Sequence, residues 1–297
     1  MRREIRELIV KQALNPVRGM PFSWSLNPYR GCQHACVYCY ARTTHTYLAL
    51  GAGEDFSRIL FVKANLVERL RAELARKTWR REEVAVGSAT DPYQPIEGRF
   101  CLTRACLVAL AESRTPVSII TKGTLIQRDI DVLQELTRVS RLTVLFSVPT
   151  IRREIARQTE PGAPPPEQRL KALERLRGHG IRAGVMMAPI LFGLTDSEDD
   201  LRRTAEAARD HGAAFIHATG VRLDGVVRRG FFAFLDQTHP QLSAPYRVWY
   251  RDTVNPPPHL RRQLERRLKP YLTPRSRDMS APSSERQLAF HWDDARP

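Results

Sequence analysis

Five short β-rich runs alternate with stretches of helical periodicity along most of this chain, and that alternation narrows the fold more than any other feature. The runs are residues 84–88 (VAVGS), 117–121 (VSIIT), 142–148 (LTVLFSV), 181–187 (IRAGVMM) and 213–218 (AAFIHA), short apolar segments bounded by turn signals. Between them lie amphipathic segments. Leu66, Val67, Leu70 and Leu74 put an apolar stripe on one helical face with Glu and Arg opposite. Leu170, Leu173 and Leu176 repeat the pattern ahead of Gly178, a helix stop, and Ser197 with Asp200 resembles a capping box ahead of Leu201, Ala205 and Ala208. With a further strand near residues 23–26, the chain reads as about six βα units of roughly 30 residues, which implies parallel strands, right-handed crossovers and chemistry at the strands' C-terminal ends.

The expected fold is therefore α/β, a partial TIM-type barrel of about six βα units. An open doubly wound sheet gives the same alternation, and periodicity alone does not separate the two. Beyond about Leu223 the rhythm fades. Residues 231–235, the prolines at 256–258 and the polar stretch after Tyr271 read as a helical C-terminal region ending in a loose tail. The expected division is an N-terminal extension over 1–22, a (βα) barrel core over 23–225 and a helical region over 226–297.

Composition excludes some functions. The N-terminus MRREIRELIVKQALNP carries charge in every turn, and no later run approaches the roughly 18 apolar residues of a membrane span, so no membrane partner and a cytoplasmic location are expected. Lys plus Arg total 47 against 32 Asp plus Glu, a net charge of +15, with Arg dense over residues 247–277. Such a field draws polyanions, which admits nucleic acid as a substrate class, although solubility alone also accounts for it.

Five cysteines make an odd number for a disulfide framework, and Cys32, Cys36 and Cys39 lie within eight positions, in GCQHACVYCYAR. That spacing suits metal ligation in a reducing compartment. Three thiolates at C-x3-C-x2-C can wrap one corner of a 4Fe-4S cubane, which usually takes four, and leave one iron open to bind and activate a small molecule. A closed zinc site with His34 or His45 as fourth ligand is the rival, giving a zinc-stabilised nucleic-acid-binding protein without catalysis. Cys101 and Cys106 lie about 60 residues away and read as surface or core positions.

The stretch NPYRGCQHACVYCYAR, with Tyr38 just before the last cysteine and Asn27, Pro28, Gly31, His34, Tyr40 and Ala41 around it, resembles the radical S-adenosylmethionine (SAM) superfamily, and within it the branch similar to spore photoproduct lyase. The resemblance extends over residues 27 to about 223. It implies a 4Fe-4S cluster held by Cys32, Cys36 and Cys39, SAM chelated at the open iron, reductive cleavage to a 5'-deoxyadenosyl radical, and hydrogen abstraction from a substrate. An electron donor such as a flavodoxin or ferredoxin follows as a partner. The repair chemistry of spore photoproduct lyase also uses a cysteine after the second strand, and residues 87–94 hold none, which leaves the substrate and the catalytic residues unassigned.

Residues at strand ends supply the remaining candidates. The segment ATDPYQPIE places Thr90, Asp91, Tyr93, Gln94 and Glu97 where a barrel strand opens onto its active face, although Asp-Pro and Gln-Pro are also ordinary turn chemistry. The resemblance makes Tyr38, Thr90 and Asp91 SAM contacts, pairs the Lys122 ammonium with the methionine carboxylate, gives Ser147 a hydrogen bond to SAM, and puts Ala188, in MMAPILFGLTD, on the adenine side. Glu160 in TEPGAPPPEQRL has no role at this level, and His217 reads as a core histidine.

Overall fold

The computed structural model describes residues 3–272. Six parallel strands appear in chain order: β1 (Trp24–Leu26), β2 (Val84–Val86), β3 (Val117–Thr121), β4 (Leu142–Ser147), β5 (Ala183–Ile190) and β6 (Ile216–Gly220). Each hydrogen-bonds to its neighbour in sequence, so the sheet order is β1-β2-β3-β4-β5-β6, and the strand Asn15–Pro16 adds antiparallel beyond β1. A doubly wound sheet reverses direction at a switch point. This one never does, so of the two expected folds it has the winding of a barrel. β1 and β6 do not pair, which leaves the barrel open.

The crossovers are α1 (Leu66–Leu74), α2 (Leu102–Glu112), α3 (Ile130–Val139), α4 (Pro166–Gly178) and α5 (Glu198–Asp210). Their apolar stripes pack on the sheet: Leu66, Leu70 and Leu74 of α1, Leu170, Leu173 and Leu176 of α4, and Leu201, Ala205 and Ala208 of α5 are all buried. Each such leucine contributes about 1.5–3 kcal/mol when taken fully out of water. Ser197 caps α5 by accepting from the Asp200 amide at 3.1 Å. Two strand starts fall later than periodicity suggests, because Ile181 and Ala213 hydrogen-bond back to Leu176 and Ala208 and so belong to helix-ending turns.

A second small sheet escapes the sequence reading. The apolar run Ile59–Lys63 pairs in parallel with Glu4–Leu8 and antiparallel with Tyr29–Arg30, so residues of the N-terminal segment help to hold the chain that enters the cysteine loop. After β6 come α6 (Gly225–Thr238), α7 (Pro240–Trp249) and α8 (Pro258–Leu268). Helix α6 packs against Tyr40–Leu48, the 3-10 segment leaving the cysteine loop, and so spans the gap between the barrel's two ends; α8 packs on α5 and β6. Residues after Leu272, including most of the predicted tail and Arg277, lie outside the described residues. Among those described, no helix is long and apolar enough to cross a membrane.

Candidate active site

The cysteine loop starts where β1 and the strand Tyr29–Arg30 end, at the C-terminal side of the barrel. Gly31 permits the entry. Its φ is +83°, and a Cβ there would lie 2.8 Å from the Phe56 carbonyl oxygen and 2.9 Å from that of Ile59, too close for any other residue. The Cys32 amide then donates to the Phe56 carbonyl at 2.9 Å. Arg42, inside the same motif, ties the loop to itself: its guanidinium donates to the carbonyls of Cys36 at 3.0 Å, Ala35 at 2.9 Å and Gly53 at 2.6 Å.

All three cysteines are free, Cys32 and Cys36 buried and Cys39 partly so. Burial pushes the Cys32 and Cys39 thiols up and takes Cys36 to about 12. Charge on Cys39 raises both of the others. Their outer fields differ, since Asp91 raises Cys32 whereas Lys122 lowers Cys36.

The Cys32 side is held by the segment after β2. Gln94 is fully buried; its side-chain carbonyl accepts from the Gln33 amide at 2.9 Å, and its NH2 donates to the Gly31 carbonyl at 3.0 Å and to Thr90 Oγ1 at 2.9 Å. Gln33 returns the bond by accepting from the Ile96 amide at 2.6 Å. The Thr90 hydroxyl donates to the Gly31 carbonyl at 2.6 Å. Asp91 spends both carboxylate oxygens on protein: Oδ1 accepts from Tyr93 N at 2.9 Å and Thr121 Oγ1 at 2.6 Å, and Oδ2 from Lys122 N at 2.7 Å, with His34 Nδ1 at 3.2 Å. Burial alone would raise this carboxyl, but His34 and these donors hold it at about 2.

The Cys36 side is held by the segment after β4. The Val37 amide donates to the Thr159 carbonyl at 2.9 Å and the Gly162 amide to the His34 carbonyl at 3.0 Å. Gly162 approaches so closely that a Cβ would fall 2.1 Å from the Gln33 oxygen. Between these contacts sits Glu160, which pairs with Arg169 Nη2 at 2.5 Å and Lys122 Nζ at 3.7 Å and accepts from the Tyr38 hydroxyl. Burial alone would raise the Glu160 carboxyl, yet Arg169 and Lys122 hold it below the usual range. For Lys122 burial works downward, and Cys36 and Glu160 raise it overall. Its ammonium lies 5.8 Å from the Tyr38 ring centroid and makes no side-chain hydrogen bond of its own among the described residues, so its three donors are available to a ligand.

The sequence-derived candidates thus gather at one mouth, in different postures. Tyr38, Thr90, Asp91 and Lys122 touch the cysteine loop or its partners. Ser147 ends β4, with its hydroxyl donated to the Ala188 carbonyl at 2.9 Å and its own carbonyl taking Arg169 Nη1 at 2.9 Å; Ala188 lies on β5, partly exposed. His45 is packed edge-on against Phe56 and Phe61, with Nε2 on the Ile59 carbonyl at 2.9 Å. Sequence reasoning passed over Gln33, Arg42 and Arg169. Arg169 is about 1% exposed in a helix where an arginine ordinarily points to water, and no local signal gives it away.

The site fits the group the resemblance implies. A metal cluster reverses the preference of buried thiols for the neutral form, and three thiols on one loop, beside an ammonium that is ion-paired with Glu160 at 3.7 Å, supply the donor set. Among the described residues His34 Nε2 is buried without a hydrogen-bond partner.

A family model described as the Radical SAM superfamily matches residues 26–208. An uncharacterized protein of Mycobacterium tuberculosis (strain ATCC 25618 / H37Rv) is 41% identical over 269 residues, covering 90% of this chain and 79% of that protein. Another, from Methanocaldococcus jannaschii, is 28% identical over 238 residues, covering 80% and 85%. Among solved structures, spore photoproduct lyase complexed with dinucleoside spore photoproduct superposes with a TM-score of 0.65 at 15% identity, over 90% of this chain and 79% of that one. At that identity the likeness shows the fold alone.

Proposed function

From the chain's membership of the radical SAM superfamily, which makes it an enzyme and sets aside the zinc-stabilised binding protein without catalysis, we propose that Cys32, Cys36 and Cys39 hold a 4Fe-4S cluster and that SAM binds beside it at the barrel mouth. The observation that carries this reading is the set of three free cysteines on one loop at the C-terminal end of β1. When bound there, such a cluster would supply the electron for reductive cleavage of SAM, the chemistry by which this superfamily abstracts hydrogen from a substrate.

The chain's own residues set the orientation. Lys122, ion-paired with Glu160 at 3.7 Å, turns its ammonium to the methionine carboxylate, a charge-assisted contact. Asp91, which accepts from the Lys122 amide at 2.7 Å, contributes a negative field toward the methionine ammonium, while its oxygens, like the Thr90 hydroxyl, hold the loop. Tyr38 keeps its phenol on Glu160 and offers its ring. Ser147 fixes the Ala188 carbonyl, so that the β5 edge presents a small residue and backbone groups to the adenine. Helix α6, closing the gap beside Tyr40–Leu48, limits water at the mouth, as radical chemistry requires.

A flavodoxin or ferredoxin is the proposed electron donor, and the cytoplasm the proposed compartment, consistent with five cysteines that are all free. The net charge of +15 makes nucleic acid the first substrate class to test. Residues 87–94 hold no thiol, so a hydrogen-returning cysteine there is not part of the proposal. Anaerobic reconstitution is expected to give brown protein with about four irons per chain and slow release of 5'-deoxyadenosine on reduction. Cys36→Ala is expected to abolish both, and equal release by that variant rejects the ligand assignment. Stimulation of release by DNA or RNA, compared with peptide and small-molecule pools, identifies the substrate class.

A further inference from the structure

Glu4–Leu8 is the outer strand of the small sheet, whose order is Glu4–Leu8, Ile59–Lys63, Tyr29–Arg30. Residues 4–7 are all exposed, and among the described residues no strand pairs with the outer edge. The Leu8 carbonyl accepts from the Ala64 amide at 3.1 Å, so the backbone of Leu8 faces inward. Hydrogen-bonding direction alternates along a strand in such a ladder. Arg6 and Glu4 therefore bond inward as well, and the N–H and C=O groups of Ile5 and Glu7 point off the sheet. The strand holds no proline, and its register with Ile59–Lys63 runs without a bulge, so the edge is a template for another strand.

Charge on an edge strand ordinarily keeps other chains away. Here the order of the charges selects a partner. Read against its own reverse, Arg3-Glu4-Ile5-Arg6-Glu7 sets Arg3 opposite Glu7 and Glu4 opposite Arg6. A two-fold antiparallel pairing puts one residue opposite its own copy. Centring it on Glu4, Arg6 or Glu7 sets like charges face to face, which destabilises a sheet, and centring it on Leu8 leaves no strand opposite residues 4–7. Ile5, 41% exposed, is the remaining centre, and there every charge from Arg3 to Glu7 meets its opposite. The same register sets Ile5 against Ile5 and Glu7 against Arg3, so that outward-pointing backbone groups meet one another.

We propose that this edge is a homodimer interface, in which two copies of the chain pair their Glu4–Leu8 strands antiparallel about Ile5 and join two three-stranded sheets into one. The pairing forms about six backbone hydrogen bonds. On one face Glu4 and Arg6, which already pair within the chain at 2.7 Å, close with those of the second copy into a ring of alternating charges. On the other face Ile5 packs on Ile5, flanked by Arg3–Glu7 pairs. The interface bears on the cysteine loop, because Ile59–Lys63 joins this strand to Tyr29–Arg30, which leads directly to Gly31 and Cys32.

Sedimentation equilibrium of the full-length protein at low salt is expected to give twice the mass of one chain. A single-chain mass at every concentration up to about 100 µM overturns the proposal. Arg6→Glu puts acid opposite acid and Glu4→Arg puts base opposite base, so each variant alone is expected to self-associate at least about tenfold more weakly. Mixed in equal amounts, the two variants are complementary at every position and are expected to recover wild-type association as a heterodimer. That recovery needs both chains folded, and so separates a lost interface from a lost fold. Ile5→Pro removes one outward N–H and spares the inward ladder; its circular dichroism is expected to match wild type while the dimer is lost. A dimer that survives Arg6→Glu and Ile5→Pro overturns the proposal, as do charge variants that stay apart on mixing.

Discussion

The two flanks of the cysteine loop are gripped by different chemistry. On the Cys36 flank, Glu160 is enclosed by Arg169, Lys122 and the neutral Tyr38 hydroxyl, and the carboxylate and its two cations sum to one positive charge. On the Cys32 flank, Gln33, Gln94 and Thr90 exchange neutral hydrogen bonds, and the one carboxylate, Asp91, is spent on donors. The loop thus lies between a net cation and an anion, so its cysteines are inequivalent before any metal binds. The flanks should also fail differently. A buried charged group depends on every partner, whereas neutral bonds are lost one at a time.

Removing one partner from the charged flank is the severest test of that difference. Arg169→Met leaves Glu160 with Lys122 as its one remaining cation at 3.7 Å, and the expected loss is about 4 kcal/mol in urea denaturation; a loss no larger than that of the neutral variants below erases the distinction. Next comes acid. Because Asp91 is held at about 2, below its usual value of about 3.8, it stabilises the fold fully above the higher value, and that contribution, on the order of 2–3 kcal/mol, is lost as pH falls from about 4 to about 2. Asp91→Asn should flatten the acid limb of the stability curve over that window, as read by the difference from wild type. On the neutral flank, Gln94→Ala removes the acceptor for Gln33 N and the NH2 donated to Gly31, with an expected cost of about 2 kcal/mol. Tyr38→Phe is the mildest. It deletes one hydroxyl from Glu160 while both cations stay, for about 1 kcal/mol in the same denaturation measurement.

Much of this site is visible in the sequence because its residues sit where the chain's periodicity ends. Asp91, Lys122 and Ser147 stand at or just after the last residues of β-rich runs, and in a barrel such positions share one face whatever the loops do. The cysteines announce themselves by spacing. Arg169 does not, because an arginine one position before Leu170 looks the same whether it is solvated or buried, and its burial is decided by Glu160 and the Ser147 carbonyl, both from the preceding strand and loop. His34 was legible only as a metal-site histidine, since its partner lies 57 residues further along the chain. The small sheet was missed for a related reason. Glu4–Leu8 is charged and exposed over most of its length, a pattern that resembles a tail until Ile59–Lys63 arrives to pair with it.

The clasp formed by Thr159, Glu160, Gly162 and Arg169 has a consequence in time. During synthesis the three cysteines leave the ribosome about 130 residues before Arg169, and at 5–20 residues per second that interval lasts on the order of ten seconds. Throughout it the nascent loop has its thiols but neither the Glu160 carboxylate nor the Arg169 guanidinium, and it is as open as it will ever be. A cluster donor that acts during translation meets accessible cysteines. One that acts afterwards must wait for the finished protein to open locally.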